Sequence, residues 1–322
     1  MEDFSKSWVD LASPRLGSAV VFATDDFFAD KARLIDPAEP VFIPGKYDAN
    51  GKWMDGWESR RKRSAGYDHC IVMLGKPGIV HGIEIDTRNF TGNYPPAASI
   101  DWCHSGEKQP SDGWQTLVPS TTLKGNDRLF LTVDGIGPAT HLRLNIFPDG
   151  GVARLRVFGQ VARTWKKGER ADLAASENGA LPVAANDEHF GKVSNMLAPG
   201  KSKDMGDGWE TRRRREPGHD WSIVTLAKPG RIDEIIVDTA HFKGNYPDRC
   251  FIQAIGGDLD LPKASLITQS LYWPVILPEQ KLAANKAHKF TREIARHEPV
   301  RFVRLNIIPD GGVARLRMFG KV

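Results

Sequence analysis

One short segment of this chain carries acidic, aromatic and basic side chains together, and it occurs twice. Residues 55–63 read Asp-Gly-Trp-Glu-Ser-Arg-Arg-Lys-Arg, and residues 207–215 read Asp-Gly-Trp-Glu-Thr-Arg-Arg-Arg-Arg. A carboxylate can transfer a proton, and the forked guanidinium of arginine can hold a small carboxylate through two hydrogen bonds. The candidate groups for this chemistry are Glu58, Arg60, Glu210 and Arg212.

The same segment has a second interpretation. Alternation along a strand would put Arg60 and Lys62 on the face of Glu58, with Trp57 on the opposite face. The run would then be a solvated sheet edge whose tryptophans, Trp57 and Trp209, pack into the core. For any single arginine the two interpretations are equally good. A nucleic-acid or heparin patch is a weaker one, because acidic residues interrupt the basic run.

An aspartate follows each segment at a matched position, and a histidine lies next to it in both halves. The first half reads Tyr-Asp-His at residues 67–69, and the second reads His-Asp-Trp at residues 219–221. Histidine titrates near neutral pH and a carboxylate can orient it, so His219, Asp220 and Asp68 are candidate catalytic residues. A structural role is an equally good interpretation for each histidine alone. Because the order differs, the two modules are not chemically equivalent here.

Each half next contains a Gly-Asn-Tyr-Pro tetrad, at residues 92–95 and 244–247. The asparagine amide can pair with a urea-like group through its donor and acceptor atoms, and the tyrosine adds a phenol. Turn formation is the slightly favoured alternative, since Gly-Asn before Tyr-Pro is typical of a loop. The candidate substrate-binding residues in these tetrads are Asn93, Tyr94, Asn245 and Tyr246.

The motifs of several enzyme classes are absent from the sequence. It has no Gly-x-x-x-x-Gly-Lys phosphate loop, no Gly-x-Ser-x-Gly elbow, no His-Glu-x-x-His pair and no Cys-x-x-Cys. Covalent serine or cysteine catalysis therefore has no support. No cofactor is predicted, although the Asp, Glu and His residues are suitable ligand types and leave a divalent metal open.

The elements that must position these residues are duplicated. In the block that begins with the opening segment 23 of 41 positions are identical, and in the last block 16 of 20 are, so the halves share one fold. The aligned blocks are residues 10–35 with 172–197, residues 55–95 with 207–247, and residues 142–161 with 303–322.

Length and duplication together predict two domains. A chain of 322 residues is long enough for each half to bury its own core. The stretch between the halves is polar and basic without apolar periodicity, as is typical of a linker. The predicted boundaries are residues 1–161 for the first repeat, 162–171 for the linker and 172–322 for the second repeat.

Short apolar runs with Gly and Pro turns indicate strands and not helices. Ile71–Leu74 and Ile83–Asp86 are predicted as two strands separated by a Lys-Pro-Gly turn, and the second half repeats this pattern. The last block predicts a hairpin of Leu142–Phe147 and Val152–Phe158. The best helix candidate, residues 280–294, lacks a clean apolar stripe. The pattern therefore favours an all-β chain with two similar β-sandwiches in tandem.

Composition excludes several classes of protein. Forty-four basic residues against 40 acidic ones give a net charge of +4, which does not indicate a nucleic-acid or membrane partner. The 3 cysteines have no metal-ligand spacing and fit a reduced compartment. No run approaches the roughly 18 apolar residues of a spanning helix, and no apolar leader is present. We therefore expect a cytoplasmic protein.

The ordered series of motifs resembles the allantoicase family. After the Asp-Gly-Trp-Glu segment it comprises Gly66–Asp68, Phe90–Pro96 and Arg143–Gly151, and residues 207–312 repeat the series. The similarity runs from Asp10 to Val322. It implies two jelly-roll-like β-sandwiches, similar to galactose-binding or discoidin-type domains, and hydrolysis of allantoate to ureidoglycolate and urea in purine breakdown. It also implies a homo-oligomer.

One departure from the family pattern concerns the histidines. The Gly-His-Asp-Trp pattern is intact at residues 218–221, whereas residues 66–69 read Gly-Tyr-Asp-His. The sequence therefore leaves open which repeat carries the active groups. A pocket that mixes both halves, for instance Glu58 and Arg60 with His219, is an alternative.

The resemblance suggests roles for the candidate residues. The expected roles are carboxylate binding by Arg212 or Arg60, proton transfer by Glu210 and Asp220 with His219, or by Glu58 and Asp68, and orientation by Asn245 and Tyr246 or by Asn93 and Tyr94. Two rival functions are a non-catalytic sandwich that binds carbohydrate or another small molecule, and a urea-releasing hydrolase of ureidoglycolate.

Overall fold

The computed structural model consists of two compact units built mainly of antiparallel strands. It describes residue 4, residues 7–257, residue 259 and residues 261–322. The first unit is Val9–Ala162 with Phe4, and the second is Arg163–Val322 with residues 7 and 8. The predicted all-β tandem is confirmed.

The strands of the first unit are, in chain order, β1 (Val9–Asp10), β2 (Ala19–Ala23), β3 (Tyr47–Asp48), β4 (Gly51–Lys52), β5 (Trp57–Glu58), β6 (Asp68–Asp86), β7 (Ala97–Cys103), β8 (Gln115–Thr122), β9 (Arg128–Phe147), β10 (Gly151–Val152) and β11 (Arg154–Val161). Their order in the sheet is β1-β11-β6-β9-β7-β8, with β2 beside β6. The first half of β6 pairs with β2 and the end of β9, and its second half pairs with β11 and the start of β9. Short 3-10 helices lie at Pro14–Leu16 and Lys31–Ile35.

The second unit repeats this arrangement with β12 (Arg170–Asp172), β13 (Leu181–Ala185), β14 (Trp209–Glu210), β15 (Asp220–Asp238), β16 (Arg249–Ile255), β17 (Val275–Lys281), β18 (Ala287–Phe290), β19 (Val300–Ile308), β20 (Gly312–Val313) and β21 (Arg315–Lys321). The first half of β15 pairs with β13 and β19, and its second half pairs with β18 and β21. The helices are α1 (Val193–Met196), α2 (Lys263–Ser270) and 3-10 turns at Ser176–Asn178 and Met205–Asp207.

Two details of the strand prediction are wrong. The Lys-Pro-Gly stretch at residues 76–78 does not end a strand but lies inside β6, where the pairing register with β9 shifts between Met73 and Gly78. An irregularity lets one strand pass from one set of neighbours to the next. The predicted hairpin is also absent, because β9 and β11 both pair with β6 and not with each other. The second unit shows the same two differences.

The helix candidate at residues 280–294 is wrong as well. Its first residues belong to β17, and β18 lies within it with alternating exposed and buried side chains. The helix that does form, α2, has eight residues and no side-chain cap. Such a short segment leaves little periodicity in the sequence.

The tryptophans of the duplicated segment anchor it in the core. Trp57 and Trp209 are fully buried. Each indole Nε1 donates to a backbone carbonyl, that of Asp25 at 2.8 Å and that of Asp187 at 2.9 Å. The structure therefore places the start of each segment against the core and leaves the following basic residues near the strand ends.

Candidate active site

Each unit contains a loop cluster, which we define by an aspartate at the start of the long strand and its partners. In the first unit Asp68 Oδ1 accepts from Lys62 Nζ at 2.6 Å and from Thr24 Oγ1 at 2.8 Å. The backbone N–H of Lys62 donates to Asp149 at 2.7 Å. The buried carboxylate of Asp68 is thereby occupied by a cation and a hydroxyl.

The loop cluster of the second unit has the same design. Asp220 Oδ1 accepts from Arg214 Nη1 at 2.7 Å and from Asn186 Nδ2 at 2.6 Å. The backbone N–H of Arg214 donates to Asp310 at 2.9 Å. In both units the aspartate ties the basic segment to the first residue of the long strand.

A glutamate and an amide form a second duplicated pair. Asn93 Nδ2 donates to Glu58 Oε1 at 2.6 Å, and Asn245 Nδ2 donates to Glu210 Oε1. Burial raises the pKa of Glu58 above its ordinary value, against the smaller opposing effects of Asn93 and Lys52. In the described part of the chain neither glutamate has a cation within salt-bridge distance. The Glu58 carboxyl group can therefore hold a proton more readily than an ion-paired carboxylate would.

The arginines expected to bind substrate lie in exposed ion pairs. Arg60 Nε lies 2.7 Å from Asp25 Oδ2, and its side chain is 62% exposed. Arg212 Nε lies 3.1 Å from Asp187 Oδ2, and its side chain is 66% exposed. Each guanidinium already has a carboxylate partner of its own.

The Gly-Asn-Tyr-Pro tetrads form structural contacts. The backbone carbonyls of Asn93 and Asn245 accept from Gly151 and Gly312 at 2.7 and 2.8 Å. The Tyr94 ring packs so closely on Gly125 that a Cβ there would come within 2.6 Å of it. Tyr246 is half-buried. The backbone of the tetrad thus has a turn role, while its asparagine side chains hold the glutamates.

The second unit also contains a sheet cluster, formed by side chains on β15, β16 and β19 with His219 just before β15 and Ser270 of α2. His219 Nε2 lies 3.0 Å from Asn306 Oδ1, which also accepts from Arg304 Nε at 2.9 Å. Asn306 Nδ2 donates to Gln253 Oε1 at 3.2 Å, and Arg304 Nη1 donates to Ser270 Oγ at 2.6 Å. The members of this cluster are His219, Trp221, Gln253, Ser270, Arg304 and Asn306.

Arg304 is the unusual member of the cluster. It is 2% exposed, and its guanidinium lies 4.3 Å from the centre of the Trp221 ring. Burial lowers the pKa of Arg304 to about 10. Across the residues that the structure describes, no carboxylate lies within salt-bridge distance of it. A buried cation without a counter-ion is unfavourable, so this arginine is suited to an external anion.

The corresponding sheet cluster of the first unit consists of His69, Ser99, Asp101, Arg143 and Asn145. Arg143 donates to Asp101 Oδ2 from Nε at 3.2 Å and from Nη2 at 2.8 Å. Asn145 Nδ2 donates to the same carboxylate at 2.8 Å. Burial lowers the pKa of His69, and Arg143 acts in the same direction. This cluster supplies its own carboxylate.

The expected pairing of His219 with Asp220 does not form. His219 bonds to Asn306, whereas Asp220 bonds to Arg214 and Asn186. The Asp68 carboxylate likewise bonds to Lys62 and Thr24, while the His69 ring contacts Phe22 and Tyr67. His219 and Arg304 instead bond to the same oxygen of Asn306, and the sequence interpretation selected neither Asn306 nor Arg304.

The sheet cluster was missed although the sequence held a signal for it. Arg-Leu-Asn occurs at residues 143–145 and 304–306, so alternation along a strand puts both polar side chains on one face. The members that complete the clusters, Asp101 and Gln253, come from another strand, and only the pairing reveals them.

An open cleft of about 440 Å³ adjoins the second glutamate pair. Its lining residues are Asp204, Met205, His241, Lys243, Gly244 and Asn245. Among the described residues, no three His, Cys, Asp or Glu side chains converge as a metal site would require. No helix in that part of the chain is long and apolar enough to cross a membrane.

Comparison with known proteins identifies the family. The model of the allantoicase repeat matches residues 9–162 and 171–322. A probable allantoicase of Burkholderia pseudomallei is 57% identical over 326 residues, covering 99% of this chain and 96% of that protein. One of Ralstonia nicotianae is 56% identical with the same coverage. The crystal structure of allantoicase from Saccharomyces cerevisiae is 35% identical, with a TM-score of 0.81 over 97% of this chain and 92% of that chain. The chain therefore belongs to the allantoicase family.

Proposed function

We propose that this chain hydrolyses allantoate to ureidoglycolate and urea in allantoin breakdown, and that the second repeat carries the reaction. Family membership supports the reaction. The observation that supports the location is the chain of contacts from His219 through Asn306 to the buried Arg304. In the first repeat the histidine follows the aspartate, and among the described residues its ring bonds to no asparagine.

Allantoate has a central carbon that bears a carboxylate and two ureido groups. Hydrolysis forms a carbon–oxygen bond from water at this carbon and breaks one of its carbon–nitrogen bonds. Water gives up a proton, and the departing urea nitrogen gains one. The site therefore needs a base, an acid and a cation for the carboxylate.

His219 is the proposed base. Arginine only donates, so the atom of Asn306 that meets Arg304 Nε is the amide oxygen. An oxygen only accepts, and His219 Nε2 must then carry the hydrogen that it shares with Asn306. The neutral imidazole thereby keeps its lone pair on Nδ1, where it can take a proton from water.

Glu210 is the proposed acid for the departing nitrogen. Its carboxyl accepts from the Asn245 amide, which borders the open cleft. Asp220 is a positioning residue in this proposal, because Arg214 and Asn186 occupy its Oδ1. These contacts hold Asp220 in place, and Asp220 directly follows His219 in the chain.

The test compares His219→Asn with the matched variant His69→Asn of the first repeat. Loss of a proton-transfer group should lower kcat/KM for allantoate at least about 100-fold, whereas His69→Asn should stay within about threefold. Urea release from allantoate is measured for both, with circular dichroism to verify folding. Equal losses in the two variants would contradict the assignment to the second repeat.

The same assay separates the rival functions. Wild-type protein is incubated with allantoate and with ureidoglycolate, and urea is measured from each. Urea from neither substrate would favour a binding module, and faster release from ureidoglycolate would favour the neighbouring reaction. We expect rapid release from allantoate alone.

We further propose a cytoplasmic, self-associating enzyme without a nucleic-acid or membrane partner. The three cysteines are free and buried. A net charge of +4 gives little attraction for polyanions. Apolar side chains at Val41, Phe42 and Ile43 are exposed, as subunit contacts would require. Light scattering of the purified chain at several concentrations tests the self-association.

A further inference from the structure

The two sheet clusters differ at one cross-strand position. In the first unit Arg143 on β9 lies opposite Asp101 on β7. In the second unit Arg304 on β19 lies opposite Gln253 on β16. Side chains directly opposite each other on neighbouring strands are close enough to interact. An acid in one repeat is therefore replaced by a neutral amide in the other, next to an arginine that both repeats keep.

In the first unit the arginine is neutralised from within. Two nitrogens of Arg143 bond to one oxygen of Asp101, and Asn145 donates to the same oxygen. The internal carboxylate uses the edge of the guanidinium through which an incoming carboxylate would bind. This cluster therefore has no free cation to offer to an acid.

In the second unit the partners of the guanidinium among the described residues are all neutral. Arg304 donates to the side-chain oxygens of Asn306 and Ser270. Gln253 cannot take the place of the missing acid, because its amide nitrogen donates to the carbonyls of Leu271 and Trp273 and its oxygen accepts from Asn306. The second terminal nitrogen, Nη2, has no hydrogen-bond partner within the described part of the chain.

A second unsatisfied donor lies in the same region. The indole Nε1 of Trp273 is buried and has no partner in the described structure. Trp273 belongs to the apolar cluster that also contains Phe302 and packs against Trp221. A buried donor without a partner is rare in proteins, so the indole Nε1 indicates a place for an acceptor group beside this apolar cluster.

We propose that Arg304 binds the carboxylate of a ureido acid, and that Asp101 blocks the equivalent place in the first repeat. This inference rests on the proposed function, since allantoate is such an acid, and it names the residue that holds its charged group. The flat faces of Trp221 and the half-buried His219 then border the ureido arms. Only the second repeat is a substrate site.

The test transfers the acid between repeats. Gln253→Asp gives the second repeat an arginine–aspartate pair like the one in the first repeat. Asp101→Gln is the matched control, which removes the aspartate from the first repeat. Binding is measured by calorimetry with N-carbamoylglycine, a ureido acid, and with its uncharged amide. Wild-type protein should bind the acid more tightly than the amide. Gln253→Asp should weaken acid binding by the second repeat at least about 30-fold. Asp101→Gln should leave the affinity of the second repeat within about threefold and should add acid binding at Arg143 in the first repeat, seen as a higher stoichiometry.

A second variant keeps the test decisive if Gln253→Asp does not fold. Arg304→Lys keeps the charge and loses the fork, and it should weaken acid binding about tenfold while leaving the amide unaffected. Acid binding within threefold of wild type in folded Gln253→Asp or, where that variant does not fold, in folded Arg304→Lys would overturn the inference. Equal binding of acid and amide by wild-type protein would overturn it too.

The binding measurement needs no turnover, so it fails separately from the proposed function. If the protein releases urea from allantoate but Gln253→Asp does not change acid binding, the role of Arg304 is contradicted and the proposed reaction stands. If Gln253→Asp abolishes acid binding but the protein releases no urea from allantoate, the binding site at Arg304 stands and the proposed reaction is contradicted.

Discussion

The two repeats keep one set of polar contacts and change another. In the loop clusters Asp68 meets Lys62 and Thr24, and their counterparts preserve the chemistry of a cation and a neutral donor around an aspartate. The glutamate–asparagine pairs are identical in the two repeats. Contacts maintained in both copies therefore do not by themselves distinguish one repeat from the other.

The sheet clusters show the opposite behaviour. Arg143 faces an acid, whereas Arg304 faces an amide, and the neighbouring histidine and aromatic positions have changed as well. In the second repeat the neutral Gln253 takes the place of Asp101. Arg304 is thereby left as a buried charge that the fold does not require. The difference teaches that divergence between duplicated sites marks the binding site better than their shared motif does.

The largest expected effect comes from the buried tryptophan that both repeats share. Trp57→Ala and Trp209→Ala should each destabilise their own repeat by about 4 kcal/mol, because both side chains are fully buried and leave a large cavity. Hydrogen exchange of peptides from each repeat, with increasing denaturant, measures the two losses separately.

The matched control is a tryptophan-to-phenylalanine pair at the same positions. It fills most of the space and removes only the indole bond to a backbone carbonyl, so it should cost about 1 kcal/mol. Losses that differ strongly between Trp57→Ala and Trp209→Ala would show that the shared contacts are not equivalent.

Much of this common framework could be predicted from the sequence, and the diverged part could not. The repeated segments, the tandem of sandwiches and the strand positions follow from local patterns. The prediction of a turn at the Lys-Pro-Gly stretch was wrong because these residue types are typical of turns, whereas β6 continues through them. Arg304 was missed because its lack of a counter-ion depends on Gln253, which lies about 50 residues away in sequence and opposite it in the sheet.

A smaller effect is expected for the arginines of the duplicated segment. Arg60→Lys and Arg212→Lys should keep kcat/KM for allantoate within about threefold, because each guanidinium forms an exposed ion pair. Such pairs contribute about 0–1 kcal/mol. Steady-state urea release measures both. A tenfold loss in Arg212→Lys alone would return the carboxylate clamp to the loop cluster and weaken the contrast between the sheet clusters.

The smallest effect concerns Glu58, in the copy outside the proposed reaction site. Burial raises its pKa, so the folded state holds this proton more tightly than the unfolded chain does. The resulting stabilisation is full below the unfolded pKa, roughly 4.3 for glutamate, and is lost as pH rises through the folded pKa. Glu58→Gln cannot ionise and keeps an oxygen for Asn93. Its stability relative to wild type should therefore rise between pH 4 and neutrality, as measured by denaturant unfolding at each pH. The exposed Glu107→Gln is the control, and parallel curves for Glu58→Gln and wild type would mean that the buried carboxyl is ionised in the folded repeat.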